Sequence, residues 1–236
     1  MCPDEPAPVS QLDGAAQREL SAVLFDMDGL LVDTEPQWLE IEHETLAALG
    51  GTWSPADARA IMGASMAHAT AHIRRVSGTH RTDAQVEAML VGAMLERLAG
   101  ADIPIQPGAR ELVQDVAESG LPYALVSASV RPIVDVVVAF LRSQGLPGFP
   151  VTIAGDEVER GKPDPLPYLH AADLLGIDIT RAVVLEDSAN GTRAGWAAGA
   201  TVVAVPHSVA IEPRERVIVR PSLVGLSVGQ LRALIR

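Results

Sequence analysis

From Pro107 onward, short aliphatic runs alternate with stretches that carry a helical period, and this alternation leaves few architectures open. The spacing predicts helices over 109–119, 133–144, 165–175, 189–198 and 228–235, and strands over 122–126, 151–154, 182–185 and 201–205. Strands separated by single helices run parallel and need helices on both faces of the sheet. The run AVLF at Ala22–Phe25 has the same composition, short, apolar and uninterrupted, as fits a strand buried on both sides. Between Thr34 and Gly100 no strand pattern occurs. Helical periods over 35–49, 56–62, 67–76 and 83–99 fill that stretch instead. The expected fold is therefore α/β: a doubly wound, Rossmann-like parallel sheet with an inserted α-helical cap. Its core comprises 21–34 and 107–236, its cap 35–106, and 1–20 a flexible lead-in.

Composition limits what such a protein does. Its 236 residues suffice for one large domain with a smaller inserted lobe, and 48% are apolar but only 3% aromatic, so aliphatic side chains fill the core. A net charge of −12 argues against sequence-independent binding to nucleic acid, which requires a basic surface. Any anionic substrate must be drawn by a few local cations and not by the general field. Cys2 is the single cysteine, which excludes an intrachain disulfide and suits a reducing, cytoplasmic setting. The first twenty residues lack a basic start and an apolar centre, unlike a signal peptide. The longest uncharged stretch, 194–211, contains Gly195, Gly199 and Pro206 and reads as helix then strand, not as a membrane span. No partner macromolecule is implied, and the oligomeric state stays open.

Strand ends carry the chemistry. AVLF stops at Asp26, with Asp28 and Gly29 following; taken alone, this could be an ordinary solvated turn. The next strand ends at Ser127 and Ala128 in LVSAS, the loop after the third carries Lys162 in RGKPDP, and the fourth ends at Glu186–Asp187 in LEDSANG. In a parallel sheet all strand C-termini share one edge, and ligands bind outside it. Asp26, Asp28, Glu186, Asp187, Ser127 and Lys162 should converge there. So many carboxylates with one cation call for a hard divalent ion, and Mg²⁺ suits oxygen ligands combined with a phosphate. Ser127, Lys162 and backbone N–H groups beside them, such as that of Ala128, then suit phosphate.

DMDG at Asp26–Gly29, the serine of LVSAS, the lysine of GKPDP and the acidic pair of LEDSANG together resemble the four motifs of the haloacid dehalogenase superfamily. FDMDGLLVDTEP and LVSAS are most similar to its β-phosphoglucomutase-like and sugar-phosphatase branch, whose members carry a helical cap between the first two motifs. The resemblance spans Ser21 to Val205. It implies that Asp26 is the nucleophile and Asp28 the general acid and base. It also implies Mg²⁺ held by Asp26, the Asp28 backbone carbonyl and Asp187, with Glu186 as ligand or support. Ser127 and Lys162 would bind the transferring phosphoryl group. The implied activity is hydrolysis of a small phosphorylated metabolite through an aspartyl-phosphate. Where a mutase of that branch has polar cap groups, this chain has Trp38 and, after Gly63-Ala64-Ser65, Met66, which favours hydrolysis. A phosphosugar mutase and a non-catalytic phosphometabolite sensor are the alternatives.

Other patterns carry less. Gly155–Lys162 departs from a P-loop in spacing and has Pro163 where Ser or Thr is needed. His68 and His72 lie four apart without a third metal ligand nearby, Met62, Met66, Met89 and Met94 read as cap packing, and Arg74, Arg75 and Arg131 read as surface residues.

Overall fold

A computed structural model of the chain describes residues 19–61, 65–100, 102–207 and 209–235. The lead-in up to residue 18, with Cys2, and Met62, Gly63 and Ala64 lie outside them. Strands β1 (Ala22–Phe25), β2 (Tyr123–Val126), β3 (Val151–Ile153), β4 (Ala182–Glu186), β5 (Thr201–Ala204) and β6 (Val217–Val219) form one sheet in the order β3-β2-β1-β4-β5-β6. All its pairings are parallel. The chain moves outward from β1 through β2 to β3, then returns to β1's other side with β4. This reversal leaves a crevice beyond the C-terminal ends of β1, β2 and β4. Register fixes what meets there: Phe25 pairs with Leu125 on one side and Leu185 on the other. The next residue of each strand, Asp26, Val126 and Glu186, therefore forms one row.

The alternation of the pleat divides the core. Val23 and Phe25 point to one face, packed with Leu112, Val116, Ile133 and Val137 from α5 (Ala109–Glu118) and α6 (Arg131–Ser143), and with Leu231 of α9 (Val228–Arg232). Leu24 points to the other face, against Tyr168 and Ala171 of α7 (Leu166–Leu175) and Ala194 of α8 (Ala189–Ala198). Both faces are covered, as the near-continuous apolar strands require. Gly195 is needed for the close approach of α8, since a Cβ there would come within 2.9 Å of Val184.

Helices α1 (Glu35–Ala48), α2 (Pro55–Ile61), α3 (Met66–Ser77) and α4 (Asp83–Leu98) stand between β1 and α5. Ile41, Leu46, Ile73, Leu90 and Met94 are fully buried among them. Thr82 and Gln85 close a capping box at the start of α4, and Gly78 ends α3 in a left-handed conformation. The two connections to the sheet lie side by side: Val32 bridges Ile105, Asp33 N–H donates to the Pro104 carbonyl (2.8 Å) and Gln106 N–H to that of Leu31 (2.9 Å).

The expected elements are present within a few residues. α6 starts two residues early because Pro132 sits in its first turn, where a fixed φ and a missing N–H are harmless. Strand β6 was not legible. It is a three-residue edge strand flanked by Arg216 and Arg220, too short to display a period. Among the described residues no helix is long and apolar enough to cross a membrane.

Candidate active site

The turn after β1 sets the geometry. Gly29 N–H donates to the Val32 carbonyl (2.8 Å), Leu31 N–H to that of Met27 (2.9 Å), and Gln106 Nε2 to the Gly29 carbonyl (3.0 Å). Gly29 has φ +81°, and a Cβ on it would land 2.1 Å from Asp187 Oδ2. Only glycine allows both the turn and the close approach of that carboxylate. The loops thus bring Asp26, Asp28, Ala128, Ser129, Lys162, Asp187 and Ser188 to the floor of a cavity of about 410 Å³. Its opposite wall comes from the inserted helices, through Trp38, Leu39, Glu42, Ile61, Met66 and Ala69.

Lys162 is buried, and its ammonium donates to Asp26 Oδ1 (2.5 Å), Glu186 Oε1 (2.7 Å) and the Val126 carbonyl (2.8 Å). All three of its protons are used. Two carboxylates hold its pKa above the ordinary lysine value against the opposing effect of burial. Glu186 is wholly buried and its carboxylate accepts from Lys162, Tyr168 Oη (2.7 Å), the N–H groups of Asp187 and Ser188 (3.1 Å each) and Ser188 Oγ (3.0 Å). A Cβ at residue 191 would overlap Glu186 Oε1 at 1.6 Å, so Gly191 makes room for this carboxylate.

Asp28 is held differently, by three hydroxyls: Thr34 Oγ1 donates to Oδ1 (2.5 Å), and Ser129 Oγ (2.8 Å) and Ser127 Oγ (3.3 Å) donate to Oδ2. Ser127 also accepts from Ser129 N–H (2.9 Å). Ser127, expected to bind phosphate, donates to Asp28 at the edge of the cavity that Ala128 and Ser129 line.

Oxygens of Asp26, Glu186 and Asp187 lie within 4.8 Å of one another. Burial first, then the charge of neighbouring carboxylates, pushes Asp26 up to about 8 despite Lys162 beside it, and Asp187 up to about 10. Crowded, desolvated carboxylates of this kind bind either protons or a cation. An all-oxygen donor set suits Mg²⁺ or a similarly hard ion. Glu186 belongs to the cluster, but its oxygens are already engaged, which suits support of the other two more than direct ligation.

Residues 20–199 match the family model described as haloacid dehalogenase-like hydrolase. The chain belongs to that family. Protein CbbY of Rhodobacter capsulatus is 34% identical over 196 residues, 80% of this chain and 86% of that one. Hexitol phosphatase A of Escherichia coli K12 is 32% identical over 194 residues, 77% of this chain and 81% of that one. CbbY from Rhodobacter sphaeroides, solved in complex with phosphate, superposes with a TM-score of 0.74 at 28% identity, covering 88% of this chain and 96% of that one. The family membership and the six-stranded sheet agree with the resemblance read in the four motifs.

Several contributors were not singled out from sequence. Ser129 and Thr34 lie within or beside the quoted motifs, so their signal was present but ambiguous among neighbouring hydroxyls. Tyr168 reads as a core residue of α7; a buried phenol needs a partner, and here it is Glu186. The remaining patterns are structural. His68 is exposed, and His72 is buried with Nε2 2.9 Å from Asp57 Oδ1 and Nδ1 accepting from Arg75 (2.8 Å). Arg131 is engaged by Glu157 and Asp135, Arg74 by Asp83, and none of these arginines lines the cavity.

Proposed function

We propose that this chain hydrolyses a small phosphomonoester, a sugar phosphate or a similar metabolite, with Mg²⁺ and through a phosphoryl group carried on Asp26. The observation that supports it most is Asp26 at a strand end on the cavity floor, with Asp28, Lys162 and Asp187 lining the same cavity. In this reading residues 35–106 act as a cap, moving about the paired connections near 33–36 and 103–107 to exclude bulk water. The phosphoryl group would face the backbone N–H of Ala128 beside Lys162 and Ser127. The single cysteine and the acidic surface fit a cytoplasmic setting without nucleic-acid partners.

The steps assigned to the chain are these. An Asp26 carboxylate oxygen attacks phosphorus, and the bond to the ester oxygen breaks while Asp28 gives that oxygen its proton. Thr34, Ser127 and Ser129 hold the Asp28 carboxyl in one orientation for both of its roles. Asp28, now ionised, takes a proton from water as the water oxygen attacks phosphorus, releasing inorganic phosphate and regenerating Asp26. Lys162 keeps Asp26 oriented and compensates negative charge in a site largely closed to solvent. Asp26, Asp187 and the Asp28 backbone carbonyl would hold Mg²⁺, with Glu186 behind them; when bound, the ion supplies positive charge to the phosphoryl oxygens and keeps Asp26 ionised.

Hydrolysis is favoured over phosphate migration because Trp38 and Met66 line the cavity where a mutase would need polar groups for a second phosphate. Incubation with a panel of phosphorylated sugars and Mg²⁺ tests the reading. Release of inorganic phosphate that disappears in Asp26→Asn supports it. Migration of phosphate without release supports a mutase, and binding without turnover supports a sensor.

A further inference from the structure

The two walls of the cavity differ in charge as well as polarity. Its charged lining comprises Asp26, Asp28, Glu35, Glu42 and Asp187 on the negative side and Lys162 on the positive, with the imidazole of His207 beside them. Lys162 spends its three protons on Asp26, Glu186 and the Val126 carbonyl. His207 faces Asp33 (3.5 Å) and Glu35 (3.3 Å). No described cation in the lining is left for a second anionic group. The substrate-facing wall of α1 and α3 is instead apolar, made by Trp38, Leu39, Met66 and Ala69, with Glu42 set among them.

From this arrangement we infer that the cavity selects phosphomonoesters whose remainder is neutral and rich in hydroxyls, and that Glu42 is the residue that rejects a second phosphate or a carboxylate. The inference rests on the proposed phosphatase activity and names its substrate class. An indole face and thioether suit the C–H faces of a sugar or polyol, whose hydroxyls can donate to the Glu42 carboxylate. A second phosphate beside that carboxylate meets like charge in a partly desolvated space with no compensating cation among the described lining residues, which is discrimination by repulsion. Glu42 is half-buried, and burial, then the nearby Glu35, pushes its pKa up to about 7. The carboxylate is therefore fully ionised, and the repulsion fully present, only above that value, so the test is run at about pH 8.5.

The test compares a six-carbon polyol monophosphate with a sugar bisphosphate of similar size and with phosphoglycolate, in the wild type, in Glu42→Gln and in Glu42→Lys. The wild type is expected to prefer the polyol ester by about 100-fold or more in kcat/KM, Glu42→Gln to narrow that ratio by about 10-fold, and Glu42→Lys to narrow it further. A wild-type ratio near one, or a ratio that Glu42→Gln leaves unchanged, overturns the inference. Calorimetric titration of Asp26→Asn with the same ligands separates the two levels. Preferential binding of the polyol ester without any wild-type turnover would refute the phosphatase reading and keep the selectivity, while turnover of all three esters at similar efficiency would do the reverse.

Discussion

The floor and the cap-side wall of one cavity are built on opposite plans. On and beneath the floor three charged groups have several fixed partners: Lys162 has three acceptors, Glu186 five donors and Asp28 three hydroxyls, while Asp26 meets Lys162. On the wall Glu42 has no hydrogen-bond or ion-pair partner among the described residues and shares the lining with Trp38, Leu39, Met66 and Ala69, with Glu35 nearby. The floor is carried by strand ends, which the sheet fixes to within the precision of its register. The wall is carried by helices joined to the sheet through two adjacent connections. A reaction centre needs preorganised charge, whereas a selecting surface needs shape and a few decisive repulsions. One family can keep the first while varying the second.

Substitutions on the floor break this contrast most strongly. Asp26→Asn is expected to reduce phosphate release by at least about 10⁴-fold, and Asp28→Asn by about 10²- to 10⁴-fold, each with an unchanged far-ultraviolet circular dichroism spectrum. A loss of less than about tenfold in either would remove that residue from the mechanism. Lys162→Ala leaves Asp26 and Glu186 as buried carboxylates without their cation, and should destabilise the protein by about 3–5 kcal/mol in chemical denaturation without metal. Unchanged stability would show that the ion pair is not formed.

A pH series sharpens the same contrast. Asp26 and Asp187, pushed up to about 8 and about 10, bind protons in the folded metal-free protein at pH values where the unfolded chain has released them. Unfolded carboxyls ionise near the ordinary value of about 4, so above it the unfolded state binds fewer protons and the metal-free protein loses stability as pH rises toward those values. A divalent cation replaces the protons, and its stabilising effect must grow with pH. The rise in melting temperature on adding Mg²⁺ should thus be larger near about pH 9 than near about pH 6. A rise independent of pH would mean that the ion does not displace protons from this cluster. On the wall, Glu42→Gln removes a carboxylate whose raised pKa costs the fold stability as pH rises toward about 7, so the variant should be at least as stable as the wild type at neutral pH while shifting substrate preference, and a loss of stability would contradict this reading.

The same contrast explains which parts of the site are legible in the sequence. Asp26, Lys162 and Asp187 follow from strand periodicity and from the rule that parallel strands end at one edge. Glu186 could be placed there too, but not its five donors, because Tyr168 comes from a helix whose face toward β4 depends on packing. Ser127 and Ser129 are two apart in LVSAS and chemically equivalent in sequence. Only the loop geometry shows that both serve Asp28 and that Ser129 lines the cavity. Glu42 gave no signal, since an acidic residue in an amphipathic helix ordinarily faces solvent. Its position depends on how α1 meets α3 and the strand ends, which a helical period does not encode. Strand β6 escaped for a simpler reason: three residues between arginines do not establish alternation.

The covalent state of Asp26 during turnover tests the central claim most directly. Rapid acid quenching of the enzyme with Mg²⁺ and a polyol monophosphate, followed by peptide mass spectrometry, should find one added phosphoryl group on the peptide containing Asp26. It should be absent in Asp26→Asn and lost on treatment with hydroxylamine. Steady phosphate release with Asp26 never modified, or a phosphoryl group carried on another residue, would contradict the account.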